Sequence, residues 1–349
     1  MKRIGEEFKR QVVRKSIGGL FGLLGILFLI PILAMGQADS VTNAAQATVS
    51  VPAKFEEPLT QVDMVDERFG WGIQSGNVVS TSDGGRTWET RAVAQMMQTA
   101  VKGMVVRDEF SEIVGLSRSD AVAIRGESVG RTSDGGSSWS QTRMEDIVIR
   151  TAAFSDGSNG WLAAEKRTAG GVGWRSVLFA TSDGGVSWNE VKLPNATGVV
   201  WDVFADTGRL WVVGDVFASS RDRGKTWERS NACPDVYGTP AKIGFSDGAH
   251  GWLRTNQGAN FCVTSDGGSS WQTRAYPAEL GQAHGLLQIT VNELWAFGEK
   301  GAFVSRDDGH TWKRAVVGRF LSADVIPGGT KLFFAGDIVR FVNLSDRMK

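Results

Sequence analysis

Thr81-Ser82-Asp83-Gly84-Gly85-Arg86-Thr87-Trp88 is the first of six copies of one pattern, Ser/Thr-x-Asp-x-Gly-x-Ser/Thr-Trp. The others run from Thr132 to Trp139, Thr181 to Trp188, Ser220 to Trp227, Thr264 to Trp271 and Ser305 to Trp312. Their aspartates, Asp83, Asp134, Asp183, Asp222, Asp266 and Asp307, are separated by 51, 49, 39, 44 and 41 residues. Gly85, Gly136, Gly185, Gly224, Gly268 and Gly309 follow two residues later, and Trp88, Trp139, Trp188, Trp227, Trp271 and Trp312 close the copies. A unit recurring at that period marks a repeat architecture.

Most copies follow a short apolar or β-branched run, such as Val78-Val79-Ser80, Val177-Leu178-Phe179 or Ala302-Phe303-Val304, and precede a run of mixed polarity. That context places the pattern at a turn between two strands. Aspartate suits the turn because its carboxylate accepts hydrogen bonds from backbone N–H groups a few residues on. The glycine takes a positive φ without steric cost. The hydroxyl residues at the two ends bond across the turn, and the Trp opens the outgoing strand with a large apolar surface. Six equivalent turns do not make one active site. The aspartates are therefore assigned to architecture, not to metal binding or acid catalysis.

A second element recurs before each turn: Phe69-Gly70-Trp71-Gly72, Glu112-Ile113-Val114-Gly115, Asn159-Gly160-Trp161-Leu162, Arg209-Leu210-Trp211-Val212, His250-Gly251-Trp252-Leu253 and Glu293-Leu294-Trp295-Ala296. A seventh unit, Lys331 to Asp337, has no complete turn pattern after it. In the third unit, Thr151–Ser155, Gly160–Glu165, Ser176–Ala180 and Asn189–Leu193 read as four strands. Four short antiparallel strands per repeat describe a propeller blade. The expectation is an all-β, seven-bladed β-propeller of four-stranded antiparallel blades over residues 51–349, with six or eight blades as the alternatives. The seventh unit runs out after its third strand near Val342. Ala47–Lys54 is available as its missing outer strand, which would protect the sheet edge.

The six turns resemble the Asp-box, or bacterial neuraminidase repeat, of sialidases, xyloglucanases, sortilin-type receptors and photosystem II assembly factors. The longer unit, Trp295-Ala296-Phe297-Gly298 running through Gly301 into the box at Ser305, is similar to the repeat of the assembly factors. Leu294 stands where that repeat has its first glycine, and Phe69 to Trp88 is looser, with Gln74 in place of the second. The resemblance covers about residues 55–345. It implies a non-enzymatic seven-bladed propeller, without cofactor, that binds a membrane-protein partner during complex assembly on the lumenal or periplasmic side. In photosynthetic members that partner is a reaction-centre precursor.

The N-terminus bears on compartment. Residues 1–15 form a basic flank (Lys2, Arg3, Lys9, Arg10, Arg14 and Lys15 against Glu6 and Glu7), and Ile17 to Met35 carry no charge. As a helix that stretch is long enough for a bilayer core, with the basic side cytoplasmic. Residues 16–36 are thus a single hydrophobic helix, either an uncleaved anchor or a signal cleaved near Gln37. Residues 37–50 are a linker, and the remainder lies outside the cytoplasm, in the periplasm or a thylakoid lumen. Formal net charge is zero. With +4 concentrated in the flank, no basic footprint for nucleic acid is left. Cys233 and Cys262, the only cysteines, are either a disulfide or two independent thiols in that compartment. No cysteine lies near the end of the apolar run, which argues against a lipoprotein.

Enzymatic alternatives lack parts. A sialidase needs an arginine triad and a tyrosine nucleophile beside a glutamate, yet the only tyrosines are Tyr237 and Tyr276. No glycine-rich phosphate loop, nucleophile motif or metal-ligand spacing stands out. The reading is a monomeric, anchored scaffold for a membrane protein complex or its precursor subunit, against an exported glycan-binding or sialidase-like hydrolase. For partner contact, the insertion Lys166 to Arg175 supplies Arg167, Trp174 and Arg175, residue types enriched at binding hot spots. The competing reading is a longer hairpin with Trp174 packed on its own blade. Met96-Met97 is a second apolar candidate.

Overall fold

Each blade buries both faces of its inner strands, which explains why runs such as Trp161-Leu162-Ala163-Ala164 are apolar without alternation. The computed structural model describes residues 55–98, 105–168, 173–193, 199–206, 208–214, 217–230, 233, 241–255, 258–327 and 331–344. The basic flank, the hydrophobic stretch, the linker, Ala47–Lys54 and Tyr237 lie outside them. Blade 1 comprises Leu59–Met64, Gly70–Gln74, Asn77–Thr81 and Glu89–Ala92, and blade 2 comprises Glu112–Gly115, Ala121–Arg125, Ser128–Thr132 and Ser140–Arg143. Blade 3 follows with Ile147–Phe154, Gly160–Arg167, Trp174–Thr181 and Asn189–Val191. Blade 4 has Val200–Ala205, Leu210–Gly214, Phe217–Ser220 and Glu228–Ser230, and blade 5 has Ala241–Phe245, Gly251–Thr255, Asn260–Thr264 and Gln272–Ala275. Blade 6 has Ala283–Gln288, Leu294–Gly298, Gly301–Ser305 and Lys313–Val316. Blade 7 has three strands among the described residues, Phe320–Val325, Lys331–Gly336 and Arg340–Asn343. All pairings within blades are antiparallel, and the fold is a seven-bladed propeller.

One part of the expected parsing is corrected. Glu112–Gly115 is the first strand of blade 2, not the counterpart of Phe69–Gly72; that place belongs to Ala121–Arg125. This blade has Val122 where blades 1 and 3 to 6 carry Trp, so the sequence offered no landmark. Met96 and Met97 fall in an added hairpin, Gln95–Gln98 with Val105–Asp108, between blades 1 and 2.

The apolar core is divided into seven clusters, one at each seam between neighbouring blades. Leu162, Ala164, Val177 and Phe179 of blade 3 pack against Val122, Ile124 and Val129 of blade 2. The opposite face of blade 3, with Trp161, Ala163 and Leu178, packs against Val203, Leu210 and Val212 of blade 4. The ring closes where Leu59, Val62, Met64 and Val79 of blade 1 meet Ile326, Phe333, Ala335 and Val339 of blade 7.

The Asp-box turns lock each of blades 1 to 6 onto the one before it. In every copy the opening hydroxyl accepts from the N–H of the glycine two residues after the aspartate at 2.7–2.9 Å. The closing hydroxyl donates to the aspartate Oδ2 at 2.6–2.7 Å. These bonds hold the carboxyls of Asp134, Asp183, Asp222 and Asp307 down to about 2. The box Trp then packs into the preceding seam: Trp88 on Phe333, Trp271 on Phe217 and Trp312 on Phe261. Its indole N–H donates to the preceding blade's outer strand or the linker after it in Trp139 (to Arg91 O), Trp227 (to Lys192 O) and Trp312 (to Ala275 O).

Gly85 shows why the box glycine is required. Its φ is +78°, and a Cβ there would lie 2.6 Å from the Phe333 ring across the closing seam. Gly85→Ala combines left-handed strain with a steric clash and is expected to destabilise the fold by about 3 kcal/mol in chemical denaturation. Gly157→Ala, whose added Cβ would meet nothing within 4 Å, is the control and should change stability by less than about 0.5 kcal/mol.

Candidate partner-binding surface and axial belt

The box turns share one face of the ring with the turns between first and second strands. Box amides donate to those turns, as in Gly84 N to Arg68 O at 2.7 Å and Gly184 N to Ser158 O at 2.8 Å. A second series of aspartates caps the latter turns. Asp66 accepts from Arg68 N and Phe69 N, Asp156 from Ser158 N and Asn159 N, Asp206 from Gly208 N and Arg209 N, and Asp247 from Ala249 N and His250 N. Each stands five residues before a second-strand Trp, a spacing legible in the sequence. Arginines on this face are engaged between blades: Arg118 with Asp66 at 2.7 Å, Arg131 with Gly184 O at 3.0 Å, Arg223 with Asn159 at 3.0 Å and Arg274 with Asp308 O at 2.8 Å.

Arg167, Trp174 and Arg175 lie on the opposite face, in the extended hairpin of blade 3. Arg167 pairs directly with Trp174 and Lys166 with Arg175 in the strand ladder. Thr168 closes the described part of the hairpin by donating through its N–H to Gly173 O at 2.8 Å. The Arg167 guanidinium sits 5.1 Å from the centre of the Trp174 ring, and Trp174 remains 37% exposed. Arg167 also lies 3.7 Å from Asp146, while Arg175 bonds Glu190 at 2.9 Å. These side chains are half exposed, so the ion pairs are worth roughly 0–1 kcal/mol.

The axis carries a polar belt that sequence reasoning missed. A first strand has an inner edge facing no further strand, and its backbone groups need partners. Around the ring, side chains from the preceding blade supply them. Gln61 bonds both backbone groups of Ile113, and Asp63 accepts from Gly115 N at 2.8 Å. Glu112 accepts from Ala152 N, Ser176 from Val200 N, and Asp202 from Ile243 N. Arg254 donates to His284 O, and His284 Nδ1 bonds Phe320 O. Ser322 and Asp324 accept from Val62 N and Met64 N, completing the circuit from blade 7 to blade 1. The first strands of blades 1, 4 and 7 each carry a bulge just before a belt residue, Gln61, Asp202 and Ser322, and in blade 6 the belt residue His284 is itself the extra residue. Such a bulge re-aims a side chain at its own position or just after it.

Four of the belt side chains, Asp63, Glu112, Asp202 and Asp324, are carboxyls. Burial pushes Glu112 up to about 7, against the pull of Lys242, which itself bonds Asp202 at 2.9 Å. Burial also raises Asp63, and burial together with the Asp63 charge raises Asp324. Among the described residues, no group of His, Cys, Asp and Glu is placed to hold a metal ion. Tyr276 packs on Phe261, and burial raises its phenol. Cys233, after the outer strand of blade 4, is joined by a disulfide to Cys262 in the third strand of blade 5, with Cα atoms 6.3 Å apart.

The fold and its turns define an Asp-box β-propeller, and comparison with known proteins narrows that class. The family model described as "Photosynthesis system II assembly factor YCF48" matches residues 136–288, and the chain resembles that family. The photosystem II assembly lipoprotein Ycf48 of Synechococcus sp. (strain CC9902) is 23% identical over 84% of this chain and 87% of its own. Its counterpart in Prochlorococcus marinus is 24% identical over 91% and 97%. The solved structure "YCF48 bound to D1 peptide" shares the fold, with a TM-score of 0.60 and 20% identity over 87% of this chain and 99% of its own.

The raised axial carboxyls fix a direction for pH dependence. The native state holds protons that the unfolded chain releases above its ordinary carboxyl pKa of about 4, so stability falls as pH rises from there through the folded values. The free energy of unfolding should therefore decrease between about pH 5 and pH 8, and Asp324→Asn, which keeps the acceptor for Met64, should flatten that decline. A wild-type stability that is constant or rises over this range would contradict the assignment.

Proposed function

We propose that this chain is an exported, membrane-anchored, non-enzymatic assembly factor that holds a precursor subunit of a membrane protein complex. The observation that carries the proposal is the family match over residues 136–288, which runs from the box of blade 2 to the first strand of blade 6. The proposed partner is a membrane-protein precursor, a D1-like chain where the host is photosynthetic, by analogy with the solved relative named for its D1 peptide. The axial chemistry favours this over glycan hydrolysis. A clamp for an acidic sugar requires several converging cations, whereas the belt sets Asp63, Glu112, Asp202 and Asp324 against Arg254, which donates to His284 O, and Lys242, which bonds Asp202. Propellers as a class also serve enzymes, so the argument rests on the site and not on the fold.

The two relatives bear the name lipoprotein, whereas both cysteines of this sequence are paired inside the propeller. The uncharged stretch Ile17–Met35 is therefore the proposed tether. The blade 3 hairpin is the proposed docking element, because it joins an exposed Trp to two arginines whose present pairings are weak.

A C-terminally tagged chain, purified from gently solubilised native membranes, should bring down a specific membrane complex or its precursor. Recovery of the protein alone, under conditions that preserve other complexes, would turn attention to glycan binding. The triple variant Arg167→Ala, Trp174→Ala, Arg175→Ala should lower capture by roughly ten-fold or more without shifting the melting temperature. Unchanged capture would remove the hairpin from the interface.

A further inference from the structure

One seam lacks a side chain that its counterparts have. In the blades that carry a box, the residue two before the opening hydroxyl faces the preceding blade, and Val79, Phe179, Ala218, Cys262 and Phe303 are all buried there. Blade 2 has Gly130 at this position, and it is only half buried. Its neighbours in the ladder are Ala123 on the second strand and Gln141 on the outer strand. Ala123 packs with Trp71, Ile73 and Val78 of blade 1. With no side chain on Gly130, a groove of about 250 Å³ opens between the outer strands of blades 1 and 2.

The groove has apolar walls and one polar end. Trp139, Phe110 and Val93 supply the walls, and Val93 is 64% exposed at the rim. The Trp139 N–H is already given to Arg91 O at 3.1 Å, so the indole offers only carbon. Arg125, Ser128 and Gln141 form the polar end, and Arg125 stands directly opposite Ser128 in the ladder. Arg125 is buried, with Nε 3.2 Å from Asp108, Nη2 3.4 Å from Gln141 Oε1, and its guanidinium 5.1 Å from the centre of the Phe110 ring.

We infer, on the partner-holding role proposed above, that this groove takes one tyrosine side chain of the bound precursor. A ring with a polar tip matches apolar walls that end in hydrogen-bonding groups. The volume is below that of sites for drug-sized ligands, which suits a single ring. The tip must be neutral, because Asp108 already meets the Arg125 charge and a carboxylate would compete with it. The tip must also accept: an indole N–H is donor only, and so is the guanidinium, whereas a phenol both donates and accepts. A phenylalanine would desolvate Ser128 and Gln141 and give them no partner. A sugar would set hydroxyls against Val93, Phe110 and the carbon of Trp139.

Saturation-transfer NMR on the full-length chain tests the groove, with N-acetyl-tyrosinamide as the probe. Its ring protons should take up saturation, and N-acetyl-phenylalaninamide should bind about five-fold more weakly, the worth of one net hydrogen bond. Gly130→Val restores the side chain that blade 1 has as Val79. A Cβ there would lie 3.4 Å from Trp139, in ordinary contact, so the variant should keep its melting temperature. Its binding of the tyrosine probe should fall by about ten-fold or more. Equal binding of the two amides, tyrosinamide binding that survives Gly130→Val, or preference for methyl glucoside would each overturn the inference. In the membrane capture described above, Gly130→Val should also recover less of the complex that the unmodified chain brings down. Undiminished recovery would remove the tyrosine anchor and leave the assembly role standing. If the unmodified chain captures no complex, the precursor is removed as the source of the tyrosine, and the probe alone decides the groove.

Discussion

Everything in this ring depends on how the bare inner edge of each first strand is satisfied. A sheet wedged into a propeller ends at the axis, where its backbone N–H and C=O groups have no further strand to bond. The molecule answers with side chains sent across each seam: Gln61 and Asp63 to blade 2, Glu112 to blade 3, Asp202 to blade 5, and Asp324 back to blade 1. Because carboxylates do much of this work, they are drawn out of water, and burial raises Asp63, Glu112 and Asp324. The same groups that bond the blades together make their bonding sensitive to pH.

The periphery solves the complementary problem. Outer strands such as Ser140–Arg143 are exposed and short, and on their own would hold a blade weakly. The Asp-box fixes the turn leading into them and drives its Trp into the preceding seam. Each of the six blades that carry a box is therefore joined twice to the one before it, by axial polar bonds and by its peripheral Trp, with one apolar cluster between. Such a scaffold is stiff, and its variation is confined to turns and linkers on the face opposite the boxes. The blade 3 hairpin and the extra hairpin after blade 1 are both of this kind.

That division bears on the functional proposal. On the box face, Arg118, Arg131, Arg223 and Arg274 hold blades together and are committed to structure. On the other face, Arg167 and Arg175 make exposed pairs that bind nothing essential to the ring. A residue type enriched at interfaces thus has different standing on the two faces, and composition alone does not distinguish them.

The sequence by itself determined the repeat and the turn chemistry, and pointed to seven blades against six or eight, because each box is a local structure whose bonds span at most four residues. Asp83, Gly85 and Thr87 are legible for that reason. The failure at Glu112–Gly115 has the same origin: with no Trp to mark the second strand, only the register with Ala121–Arg125 decides which strand is which. The axial belt was decided by tertiary structure alone. Gln61, Glu112 and Asp202 look like ordinary polar residues in short strands, and they acquire a role only when ring closure brings the backbone of another blade, some 40 to 50 residues away, within reach of each side chain. The contact from Asp324 to Met64, 260 residues apart, exists only because the ring closes.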